Sequence, residues 1–561
     1  MAGTTTLRVI CPEGSQWIFM RYGESMQADG HVLNQYGNIM NSNYTCAGTG
    51  DVETYTTLFS YYGFRYIELT NWPGVPDEGS FTGHFIHSNV GQTGSFNSDN
   101  DQLNNIQHLT RFASLSNLMD VPTDCPQRER RGWLGDAQLS AETTISNFDM
   151  SGFYTKWMRD LRDSQEFLNS DGQLPDCGAY IYSLGVRHHC ARPGHTPSNC
   201  IPTPVLYIAL CLGPTATWAL APRSPILRPR RPSRRPASTH KSRLSSTAAH
   251  LTPTHNIHTL SPRRAWSAAY PFIVDWVSDY YADDRIVTAH YDGVKAFMDS
   301  QVKQLDKDGV LSFARYGDWC SVADGAATGV FWTRADISHW HYTRGMDILT
   351  NFATRTGNAA DAAKYGALAT TARTNYVAKF YNATSHVFSD RGDDYPISQM
   401  LALDLPGVVP DADRDAVFAD LVSLINNGNH SGFPDSPSWG IIGQKVAYDV
   451  LTRGGRTDLA LTVQLAHGMP SVDYWIEGSG PGTGATTLWH VLDPEAAAVL
   501  PPLITNPDAC FPPLMYLALC MQGELAVDKL RPGGILQPYH VRRLRQVAVL
   551  RRRGTVCTLE I

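Results

Sequence analysis

The chain has 561 residues, 42% of them hydrophobic and 10% aromatic, with 13 Trp and 25 Tyr. That length exceeds one ordinary core and points to about two to four domains, or one large repeat-like domain with a companion. A formal net charge of −7 excludes a global bias toward nucleic acid, no apolar run reaches membrane-spanning length, and eleven irregularly spaced cysteines outline neither a disulfide framework nor a zinc pattern.

The opening MAGTTTLRVICPEGSQW lacks the basic flank and apolar stretch of a signal peptide, which leaves localisation open. The first hundred residues read as β. FRYIELT (Phe64–Thr70) and FTGHFIHSNV (Phe81–Val90) alternate large apolar with polar side chains, and the turn-rich NWPGVPDEGS separates them. Residues 1–98 are therefore expected to form an antiparallel β-sandwich domain, entered partway through. After Asn100 the period changes: Leu103, Ile106, Leu109, Phe112 and Leu115 recur at helical spacing. Further helices are predicted at Phe153–Leu161, Ala269–Tyr281, Thr333–Gly357, Ala359–Tyr381 and Asp411–Asn427. A mainly α fold follows over 99–490.

Two segments break the pattern. Residues 187–264 are rich in Pro, Arg, Ser, Thr and His, and no Asp or Glu occurs between Asp176 and Asp275. A basic arm for an acidic partner competes here with a segment too poor in apolar periodicity to fold, and the latter is favoured. Residues 491–561 form an atypical tail that continues no earlier pattern. Sequons at Asn43, Asn382 and Asn429 are short enough to arise by chance.

The densest chemistry lies in DCPQRERRGWLGDAQ (Asp124–Gln138), which holds three carboxylates, three arginines and a tryptophan. Glycosidic hydrolysis needs two carboxyl groups flanking the anomeric carbon, one of them kept protonated by burial or by a neighbouring carboxylate. Asp124, Glu129 and Asp136 can supply such a cluster. Arg128 and Arg130 can orient carboxylates, and Trp133 offers a face to a sugar ring. On composition alone, an exposed, salt-bridged loop is the favoured reading.

The stretch TDCPQRERRGWLGDAQ resembles the signature of the α-L-rhamnosidases, glycoside hydrolase family 78. GSFNSDNDQLNNI, FYTKWMRDLRDSQ, AYPFIVDWVSDYY, RYGDW and PSVDYWIEGSGPGTGATTLWH are similar to other parts of that family, so the likeness runs from about Gly50 to Trp489, the basic insert excepted. The resemblance implies an (α/α)6 barrel preceded by a β-sandwich, and removal of terminal non-reducing α-L-rhamnose with inversion. It implies Glu129 as general acid. It implies Asp124 and Asp136 as carboxylates that bind rhamnose hydroxyls, Arg128 and Trp133 as holders of the ring, and Asp318 and Trp319 as further substrate-binding residues, with a structural role at a helix start an equal alternative for these last two. Rhamnose-containing glycosides or polysaccharides are then the partners. No cofactor, metal, nucleic acid or membrane is expected, and oligomeric state is not encoded visibly.

The family's general base is a glutamate after Thr-Thr-x-Trp. Here TTLWH places His490 there, with Glu477 as another carboxylate nearby. The family's preceding sandwich modules, closing helix and C-terminal sandwich are not recognised, so the expectation is a member shortened at both ends. A catalytically inactive, carbohydrate-binding relative lacking the base is the alternative reading.

Overall fold

A computed structural model describes residues 1–24, 26, 30–32, 40–167, 172–178, 266–313, 316–319, 321, 333–392, 395–428, 434–467 and 471, and the backbone of 550–553 and 556–560. His490, Glu477, Asn429 and the basic insert lie outside the described residues, as does the tail up to residue 549.

The N-terminal domain is two antiparallel sheets. In the first, β1 (Ala2–Ile10) is central. It pairs with β4 (Val52–Thr56) along its second half, with β5 (Tyr62–Gly63) at its start, and with β7 (Phe81–Phe85) on its other edge. In the second, β2 (Trp17–Gly23) lies between β3 (Asn41–Thr45) and β6 (Tyr66–Thr70). Ile18, Met20 and Tyr22 are buried at every second position of β2, and Ile67 and Leu69 of β6 join them. This two-residue period turns one face of each strand inward. The outer edge of β6 is filled from the far end of the chain: β12 (Leu550–Arg553) and β13 (Val556–Glu560) form a hairpin, and β13 pairs antiparallel with β6. A disulfide joins Cys11, just after β1, to Cys46, just after β3. Residue spacing gave no sign of it, because adjacent strand ends set the pairing.

Eleven α-helices follow among the described residues. Helix α1 spans Asp101–Ser116, and Asn100 accepts the Leu103 amide to cap it. A short hairpin, β8 (Leu118–Met119) with β9 (Val121–Pro122), leads into the charged stretch and then α2 (Leu134–Asn147) and α3 (Ser151–Phe167). Beyond the insert come α4 (Ala269–Tyr281), α5 (Asp284–Val302), α6 (Ala335–Arg355) and α7 (Ala359–Phe380). After a hairpin of β10 (Tyr381–Asn382) and β11 (Val387–Phe388) come α8 (Pro396–Asp404), α9 (Arg414–Asn427), α10 (Ile441–Arg453) and α11 (Thr457–Gln464).

These helices alternate between two layers. Even-numbered helices touch in succession, α2 to α4, α4 to α6, α6 to α8 and α8 to α10, and α10 touches α2. Odd-numbered helices flank them, α5 against α4 and α6, α7 against α6, α9 against α8. Side chains follow the layers. Nearly every residue of α2 and α8 is buried, whereas α7 buries only Tyr365, Ala369, Ala372, Tyr376 and Phe380, a single stripe at spacings of three and four. Lys445 of α10 forms an ion pair with Glu142 of α2, and its ammonium sits 4.8 Å from the Trp276 ring of α4. No described helix is long and apolar enough to cross a membrane.

Candidate active site

The charged stretch forms a closed bend ahead of α2. The Asp124 amide donates to the Arg131 carbonyl at 3.0 Å, and the Arg131 amide donates back to Asp124 Oδ1 at 2.8 Å. Residues 125–130 therefore turn within a mouth that Asp124 closes. Glu129 hangs from this bend. Its Oε2 accepts from Trp133 Nε1 at 2.9 Å, and its Oε1 is 3.4 Å from Arg128 Nη2. Its side chain keeps 31% of its exposure, whereas Asp124 keeps 3%. Of the two, only Glu129 is open to solvent.

The sandwich domain holds the bend from behind. Arg130 adopts a left-handed φ of 54° and aims its guanidinium at the Tyr61 carbonyl, donating at 2.6 Å. At Gly63 a Cβ would stand 2.8 Å from the Gln127 nitrogen, so only glycine allows β5 to approach this closely.

Beyond the bend, Leu134 donates to the Asp176 carbonyl and Gly178 to the Gly132 carbonyl, which fixes the start of α2 against residues 176–178. Asp136 sits in the first turn of α2, where the helix end favours negative charge. Its Oδ2 accepts from Trp266 Nε1 at 3.2 Å. That indole lies flat against the helix because residue 135 is glycine: a Cβ there would be 2.6 Å from the ring. Tyr316 donates to Asp176 Oδ2 at 3.0 Å. The rings of Trp266, Tyr316 and Trp319 are mutual neighbours and Trp133 joins them through Tyr316, with centroids 5.0 to 6.4 Å apart. Carboxylates and aromatic faces thus meet in one cluster.

Burial dominates the electrostatics. It raises Asp124 to about 6, with the Glu129 charge adding to the effect. It lifts Asp136 well above the usual carboxylate range, helped by Asp124 and then by Glu129. Because the folded chain holds the Asp124 proton more tightly than the unfolded chain, this group's stabilisation is complete below about pH 4. It is lost as pH rises through about 6. A shift of about two units corresponds to about 3 kcal/mol. Asp124→Asn is therefore expected to melt a few degrees above the parent at pH 8 and to converge with it at pH 4, read by scanning calorimetry. An equal gap at both pH values would show that charge burial is not the cause.

Asp124, Arg128, Glu129, Trp133, Asp136 and Trp319 are brought together. Asp318 is not among them. Its Oδ2 accepts the Gly440 amide at 2.6 Å, and its Oδ1 accepts those of Ile442 and Gly443 at 2.8 and 3.1 Å. The carboxylate anchors the start of α10. Sequence reasoning missed Trp266, Asp176 and Tyr316, which carry no spacing signal and stand far from the motif along the chain.

Residues 91–189 and 237–498 match the bacterial alpha-L-rhamnosidase 6 hairpin glycosidase domain, and residues 1–87 match the bacterial alpha-L-rhamnosidase concanavalin-like domain. The chain belongs to the bacterial α-L-rhamnosidase family. An alpha-L-rhamnosidase of Streptomyces avermitilis is 27% identical over 500 residues, 88% of this chain and 38% of that protein. One from Formosa agariphila is 33% identical over 169 residues, 29% of this chain and 18% of that protein. Among solved structures, the alpha-L-rhamnosidase of Dictyoglumus thermophilum superposes with a TM-score of 0.68 at 26% identity, covering 92% of this chain and 48% of that one. The Streptomyces avermitilis enzyme complexed with L-rhamnose gives 0.66 at 23% identity, covering 93% and 40%. This rhamnosidase-family chain spans less than half the length of these relatives. The paired helix layers are those of the family's six-hairpin domain, and the two-sheet domain precedes them as expected. The stretch between the two matched segments, 190–236, falls inside the basic insert.

Proposed function

We propose that the chain hydrolyses terminal α-L-rhamnosides with inversion, using Glu129 as the general acid. The observation that carries this reading is the position of Glu129: partly exposed, held by the Trp133 indole, and set among buried carboxylates and aromatic rings. Rhamnose is a 6-deoxy sugar, so it offers a methyl group to ring faces and hydroxyls to carboxylates. Trp133, Trp266, Tyr316 and Trp319 suit the first, and the resemblance to the family assigns the second to Asp124 and Asp136. Arg128 beside Glu129 steadies the acid and can meet a ring hydroxyl. The related Streptomyces avermitilis structure holds L-rhamnose, which supports the choice of sugar.

In this mechanism the Glu129 carboxyl protonates the departing oxygen as the bond to the anomeric carbon lengthens. Water attacks from the opposite face, and the second carboxyl of an inverting pair stands roughly 6.5–9.5 Å from the first to leave it room. His490 occupies the sequence position of the family's base, and a neutral imidazole can accept that proton.

The test is hydrolysis of an aryl α-L-rhamnoside by the full chain, with the anomer of the released sugar followed by NMR. Release of β-L-rhamnose is expected. Retention of the α-anomer overturns inversion, and a folded chain that binds rhamnose without turnover overturns the hydrolytic reading. His490→Ala and His490→Glu then show whether the imidazole serves as the base.

A further inference from the structure

The bend that carries Glu129 turns on a sulfur atom. Cys125 is a free thiol with no exposed surface. Its S–H donates to Asp124 Oδ2 at 3.0 Å, and the Glu129 amide donates to the same sulfur at 3.0 Å. The other Asp124 oxygen is held by the Arg131 amide. One side chain therefore links the carboxylate that opens the bend to the backbone of the residue near its end. Sulfur is a weak donor and a weak acceptor, but its size lets it reach both groups at once. Burial, and then the Asp124 charge, keep it as a thiol, the form that can donate. Arg130 pins the bend immediately after Glu129 through Tyr61, so the thiol supplies the restraint on the other side.

We propose that Cys125 is a positioning residue for proton donation: its thiol couples the Asp124 carboxylate to the Glu129 backbone and so fixes where the Glu129 carboxyl stands. The inference rests on the reading of Glu129 as the acid. The groups that act on this sulfur are the Asp124 carboxylate and the backbone amides of Glu129 and Arg130; the Glu129 charge acts in turn on Asp124, and both act on Asp136 of α2.

Cys125→Ala and Cys125→Ser in the full chain test it. The readouts are kcat and KM on an aryl α-L-rhamnoside across pH, and hydrogen exchange by mass spectrometry of the peptide spanning 124–131. Cys125→Ala is expected to lower kcat roughly 10–100-fold with KM nearly unchanged. The pH profile should shift, because Asp124, whose charge lies beside Glu129, loses a donor that favours its charged form. Exchange in the peptide should quicken, and Cys125→Ser should recover most of all three. Parental kcat, pH profile and exchange in Cys125→Ala would overturn the proposal. Should the parent release no rhamnose, the acid assignment itself fails. The exchange readout then decides the thiol's part alone: quickened in Ala and restored in Ser supports it, unchanged refutes it.

Discussion

Glu129→Gln is expected to lower kcat on a poorly activated α-L-rhamnoside by about 10³-fold while KM stays within a few-fold, the loss typical of a removed general acid. Glutamine keeps the shape of the side chain, and its amide oxygen can still accept from Trp133 Nε1, as Glu129 Oε2 does at 2.9 Å. The transferable proton is lost, and with it the ion pair of Oε1 with Arg128. The decisive comparison uses two leaving groups. A nitrophenolate departs with little protonation, so its glycoside should lose far less rate than an alkyl rhamnoside. Equal losses on both substrates would assign Glu129 to binding or structure and leave the acid to be found elsewhere.

Asp318→Ala is expected to prevent stable folding. Three buried amides at the start of α10 donate to this carboxylate, from Gly440 just before the helix and from Ile442 and Gly443 within it. Each buried donor left without a partner costs about 1–3 kcal/mol. The total reaches several kcal/mol against a typical stability of about 5–15 kcal/mol. Water cannot readily replace the carboxylate, because Asp318 retains only 3% of its surface and Gly440 packs directly on the 318–319 backbone. Asp318→Asn should fall between, since its single oxygen can serve only part of the set. Thermal melts of the three proteins check the order. A stable Asp318→Ala with a raised KM alone would return this residue to the sugar.

Much of the architecture was legible because amphipathic periods survive in sequence. The predicted 269–281 helix is α4, and those at 333–357 and 359–381 are α6 and α7 to within two residues at each end. The predicted strand at 81–90 is shorter, since β7 ends at Phe85 where its pairing with β1 ends. Helix α8 carried no legible stripe, because almost every residue is buried and a helix buried on all sides shows no face. The site divided along the same physical line. Asp124, Arg128, Glu129, Trp133 and Asp136 fall within thirteen consecutive residues and announced themselves by density. Trp266 directly follows the low-complexity segment, and Asp176 precedes it. Only three-dimensional packing brings them to α2, and no local spacing records that. Asp318 and Trp319 are neighbours in sequence, yet one secures a helix and the other faces the aromatic cluster.

The contact between α10 and α2 has a kinetic consequence. Lys445 and Glu142 are 303 residues apart, so at about 5–20 residues per second α2 waits roughly 15–60 s on the ribosome before its partner is made. Through that interval a helix that is almost wholly buried in the fold lacks one of its final neighbours. Contacts this distant in sequence also slow folding after release. The nascent chain is thus exposed to self-association while the ring of helices stands open, and its yield in a cell is expected to depend on chaperones that bind apolar helices during synthesis.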